Sequence, residues 1–75
     1  MSTRKLAAES FSAEFPPAVG RPANAALVHL GITTVEQLAD LTEDEVLAIH
    51  GVGPKAVRAL AAELAKRGLA FKRPP

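Results

Sequence analysis

Apolar residues recur at helical spacing late in the chain: Val57, Leu60, Ala61 and Leu64 fall on one stripe, with Arg58, Glu63, Lys66 and Arg67 off it. That period predicts an amphipathic helix, opened by Pro54 and stopped by Gly68. Val46, Leu47 and Ile49 make a shorter apolar face ending at Gly51, and Thr42 with Glu45 makes a capping box ahead of it. Thr33 with Glu36 makes another box ahead of Val35, Leu38 and Leu41. An earlier helix starts near Arg21 and stops at Gly31. The pattern predicts an all-α protein, a compact bundle of four to five short helices. Four of them lie at about residues 21–30, 33–40, 42–49 and 54–67.

One segment repeats. Val19-Gly20-Arg21-Pro22-Ala23, followed by Ala26 and Leu27, matches Val52-Gly53-Pro54-Lys55-Ala56, followed by Ala59 and Leu60, at a constant offset. Each copy opens a helix after Val-Gly with a proline and a basic residue, which reads as an approximate internal duplication. The second copy carries the more specific chemistry. Gly51 and Gly53 permit positive φ and close approach of another backbone, and Pro54 suits the first helical position. A helix starting there directs free N–H groups and the positive end of its dipole outward, towards an anion such as a phosphate oxygen. Lys55 adds a mobile charge.

The chain has 75 residues, enough for one domain. Met1 to Glu14 mixes charge and serine with scattered apolar residues, so residues 1–15 read as a flexible tail, 16–72 as the folded domain and 73–75 as a C-terminal tail. There is no cysteine, hence no disulfide or thiolate metal site, and no apolar run of membrane-spanning length. The expected location is cytoplasmic, nucleoid-associated if DNA is bound. Net charge is only +1, but its distribution is polar. From Ile32 to His50 every charge is acidic, whereas from Gly51 onward Lys55, Arg58, Lys66, Arg67, Lys72 and Arg73 stand against Glu63 alone. Charge alone signals no more than solvated helix faces. Together with the glycine hairpin it favours nucleic acid.

From about Pro17 to Lys72 the chain resembles the C-terminal domain of the bacterial RNA polymerase alpha subunit, a paired helix-hairpin-helix (SAM-like) fold. The resemblance is carried by Arg21-Pro22-Ala23-Asn24, the Gly31 to Leu38 segment, Thr42 to Leu47, Val52-Gly53-Pro54-Lys55 and Arg67-Gly68-Leu69, in that order. It implies a bacterial-type, transcription-related module that contacts the DNA minor groove through Arg21, Asn24, Gly53 and Lys55. The chemistry of the residue types agrees: Arg suits a narrow, negative groove, Asn a base edge or sugar, and Gly and Lys a phosphate. Ala56 and Ala59 stand where that family often carries polar residues, which removes one or two contacts.

The expected function is therefore a small, monomeric, non-catalytic domain binding duplex DNA with little sequence preference. Its candidate contacts are Arg21, Asn24, Gly51, Gly53, Lys55 and Arg58. The alternative is a protein-interaction module docking through the acidic surface of Glu36, Asp40, Glu43 and Asp44. His29 and His50 read as packing or helix-end residues, and Phe11, Phe15 and Phe71 as hydrophobic pins. No cofactor, metal or membrane is called for. No Ser, His and acid combine as a nucleophilic site.

Overall fold

The computed structural model describes residues 11–75. Three α-helices form there, α1 (Arg21–His29), α2 (Glu43–Leu47) and α3 (Pro54–Lys66), together with 3₁₀ turns at Pro17–Val19 and Glu36–Asp40. The helix expected at 33–40 is thus replaced by a 3₁₀ turn, and the one expected at 42–49 is cut to five residues. Both differences have local causes. Val35, Leu38 and Leu41 recur every third residue, and the amides of Leu38 and Leu41 donate to the carbonyls three residues back, at 3.0 Å each. A three-residue turn eclipses such positions, so Val35 and Leu38 both reach the core and neither retains any exposure. The preceding Ile32-Thr33-Thr34-Val35 run is β-branched throughout, which weakens an α-helical start.

The two expected capping boxes fare differently. At α2 the Glu45 amide donates to Thr42 Oγ1 at 3.0 Å and the Thr42 amide to Glu45 Oε1 at 2.8 Å. The other box forms one residue later than expected, between Thr34 and Gln37. Gln37 Oε1 accepts from the amides of Thr33 and Thr34, and Gln37 Nε2 donates to the Gly31 carbonyl at 3.0 Å. Glu36 is thereby free for another partner.

The duplication survives in the packing. Val19 and Val52 are each 6% exposed, Ala23 and Ala56 3% and 5%, and Leu27 and Leu60 fully buried. Both long helices also end alike. The Ile32 amide donates to Leu27 O across Gly31, and the Leu69 amide to Leu64 O across Gly68, each glycine at positive φ. α1 has nine residues and α3 thirteen, so the copies differ by one turn, 13 − 9 = 4 residues.

The core gathers Phe15 and Val19 with Leu27, Leu38, Val46, Val57, Leu60 and Leu64. The folded unit therefore starts before the expected boundary at 16: Phe15 is 4% and Ser12 8% exposed, and the 3₁₀ turn that follows packs on α3. Residues 1–10 of the expected tail lie outside the described residues. At the other end Phe71 rests partly buried on the core, and the Lys72 amide donates to Leu41 O at 2.8 Å. Phe15 and Phe71 are pins as expected; Phe11, 54% exposed, is not.

Candidate nucleic-acid interface

α2 gives way to α3 through two glycines that behave differently. Gly51 has φ +98°, the conformation expected of it, and a Cβ there would lie 3.3 Å from Ala26 Cβ and 3.5 Å from Pro22 O. The hairpin therefore rests directly on the first turns of α1, against Pro22 and Ala26, whereas Arg21 lines a separate hollow with Phe11, Phe15 and Pro17. Val52 plugs into the core behind it. Gly53, which as a glycine permits positive φ, instead has φ −109° and ψ 178°, extended backbone that any residue adopts. A Cβ on Gly53 would meet nothing within 4 Å. Neither packing nor dihedral angle demands glycine at this position.

Gly53 is also the N-cap of α3, and no side chain caps that start. The first bond of the helix runs from the Val57 amide to Gly53 O at 3.0 Å. Pro54 has no N–H, so the Lys55 and Ala56 amides are the first-turn donors left without intrahelical partners. Lys55 and Arg58 are exposed on the same helix and Arg21 on the neighbouring one. None of the three takes part in an ion pair among the described residues.

Asn24 corrects the sequence reading. Its side chain is 2% exposed, Oδ1 accepting from the Ser12 amide at 2.7 Å and Nδ2 donating to the Ser12 carbonyl at 2.9 Å. A carboxamide bonded at both ends and almost wholly buried is held for the fold rather than presented to a base edge. Arg21 and Asn24 are three residues apart in α1, a spacing that by itself would put both on one face. Asn24 instead lies one register towards the core, at the position the duplication pairs with buried Val57. Gly51 is likewise turned inward, against α1, so its part is to seat the hairpin. Of the six predicted contacts, Arg21, Gly53, Lys55 and Arg58 remain available.

The sequence family described as a SAM-like helix-hairpin-helix tandem matches residues 21–66, from the first residue of α1 to the last of α3 and more than half of the chain. The chain belongs to this family. No curated protein and no solved structure matches it.

Outside the tandem proper, Arg67 ties three segments together. Its guanidinium lies 2.9 Å from Glu36 Oε2, 3.2 Å from Glu63 Oε2 and 3.5 Å from Glu14 Oε1. The Glu36 carboxyl is held below its ordinary value of 4.5, first by a backbone hydrogen bond and then by Arg67. Arg67 is held above its usual range by hydrogen bonds to Glu36 and then Glu63. This knot was not foreseen, because Arg67 was counted among the basic residues facing a polyanion. It removes Glu36 from the acidic surface as well. Asp40, Glu43 and Asp44 stay exposed, and the last two share a hollow of about 220 Å³ with Lys72 and Arg73.

A wider apolar hollow of about 580 Å³ lies alongside the contact between α1 and the hairpin, lined by Pro22, Ala26, Leu30 and Ile49 with His29 and His50. Both histidines are exposed. Leu30, 61% exposed, is the most exposed large apolar side chain among the described residues. No described helix is long and apolar enough to cross a membrane.

Proposed function

We propose that this helix-hairpin-helix tandem is a non-catalytic module that binds duplex DNA through its phosphate backbone, with little sequence preference. Helix-hairpin-helix domains are commonly DNA-binding or protein-interaction modules. The observation that carries the DNA reading is Gly53. A glycine that neither dihedral angle nor packing requires, at an uncapped helix start facing open space, suits the close approach of something from outside. The adjacent free amides, Lys55 and Arg58 make an anion the natural partner. Arg21 adds an exposed cation, unpaired among the described residues, at the matching helix start of the other copy. The order of elements supports a transcription-related role like that of the polymerase alpha C-terminal domain, with the difference that Asn24 takes no part.

Titration of a labelled duplex tests the reading. Three cations, Arg21, Lys55 and Arg58, each neutralising a phosphate predict log affinity falling against log salt with a slope of about −3. Arg21→Ala and Lys55→Ala should each flatten it by about 0.9 while leaving the fold intact. Absence of binding at low salt would refute the reading. The second reading, a protein-interaction module, is favoured by the apolar hollow beside exposed Leu30, and a pull-down insensitive to nuclease would support it.

A further inference from the structure

The outer face of α3 carries charge beyond the hairpin. At about 100° per residue, Lys55, Arg58, Ala62, Ala65 and Lys66 fall within one arc of about 100°. All five are exposed. Three are cations, and no acid shares the arc. The one acid of α3, Glu63, lies about 60° outside it with its carboxylate on Arg67 at 3.2 Å, and its 3.9 Å approach to Lys66 leaves that side chain 76% exposed. The alanines leave no bulk between the cations.

We propose that this face is a phosphate track: the DNA strand that approaches Gly53 continues along α3 to Lys66, extending the footprint by three helical turns. The proposal rests on the DNA reading above. From Lys55 to Lys66 the helix rises about 16 Å, which matches the axial length of about five nucleotides of one strand. The cations occur near the start, one turn in and at the far end, so a strand lying along the face meets charge at both ends, with small exposed alanines between. A polyanion fits this surface better than an acidic peptide, because the track has no apolar anchor for a side chain to bury.

Duplex titrations with the 75-residue chain decide it. Ala62 lies mid-track, two turns from the hairpin, and is exposed on a helix that accepts Glu or Gln with little cost. Ala62→Glu should lower affinity at least tenfold at low salt, Ala62→Gln by less than threefold, and Lys66→Ala should flatten the salt slope by about 0.9. Circular dichroism checks that each variant keeps its helices. If Ala62→Glu binds within twofold of the parent and Lys66→Ala keeps the parent slope while Lys55→Ala still weakens binding, the track is refuted and the hairpin site stands. If the parent chain binds no duplex at low salt, both fall. Should Ala62→Glu fail to fold, Lys66→Ala alone decides.

Discussion

Replacing Gly53 by serine should make the protein more stable and a poorer binder at once. With φ −109° and ψ 178° the position lies in the region an N-cap side chain prefers, and a Cβ meets nothing within 4 Å. Serine then loses less backbone freedom on folding than glycine, about 0.4–1 kcal/mol. Its hydroxyl can also cap the Lys55 or Ala56 amide for a few tenths more. The sum is roughly 0.5–1.5 kcal/mol, or about 3–10 °C in midpoint for a domain of this size. The same hydroxyl takes the donor that a phosphate would use. A hydrogen bond to a charged group contributes about 1.5–3 kcal/mol, so affinity should fall roughly ten- to hundredfold. Gly51→Ser is the control of opposite sign. At φ +98°, with Ala26 Cβ 3.3 Å from the new Cβ, it should destabilise by about 1–3 kcal/mol. Urea unfolding followed by circular dichroism gives the stabilities and fluorescence anisotropy the affinities. Should Gly53→Ser destabilise the fold, the account of the N-cap is wrong. Should it stabilise the fold and leave duplex affinity untouched, the open space over Gly53 is not where DNA approaches.

Asn24→Ala would leave two main-chain groups of Ser12 without partners, and a loss of about 2–4 kcal/mol is expected in the same unfolding assay; a loss below 0.5 would show that water reaches them. Thr42→Ala removes one half of the capping box of α2 and should cost about 1 kcal/mol. The depressed Glu36 carboxyl contributes stability that is present above its unfolded value and lost as pH falls from 4.5 through the lower folded value. Arg67→Ala should therefore reduce the loss of stability on acidification. Unfolding curves between pH 6 and roughly pH 3 check this, and an unchanged pH profile would mean the ion pairs contribute nothing in solution.

The helix starts and stops were legible in the sequence because they are local. Thr42 with Glu45, Pro54, and the stops at Gly31 and Gly68 depend on residues within one turn of each other, and all formed. The segment at 33–40 was misread because its apolar spacing of three was fitted to a helix period, although Val35, Leu38 and Leu41 suit a 3₁₀ turn better. Asn24 was readable in principle. The same offset that pairs Val19 with Val52 and Leu27 with Leu60 pairs Asn24 with Val57, a core position, and a polar residue there needs an internal partner. Residue type, weighed alone, pointed outward instead. Arg67 had no such signal. Its partners lie 4, 31 and 53 residues away, and only tertiary structure brings Glu14 and Glu36 to it.

The reach of Arg67 and the strap it holds also sets where this protein can be cut. Kinship with the family runs from residue 21 to 66, yet a fragment trimmed to those limits would discard Phe15, Val19, the guanidinium and the glycine that closes α3. Leu60 and Leu64 would lose part of the cover that keeps them dry. Anyone grafting this module into another protein should carry more than the homologous segment at both ends, Ser12 and Lys72 included, since their main-chain groups bond to Asn24 and Leu41.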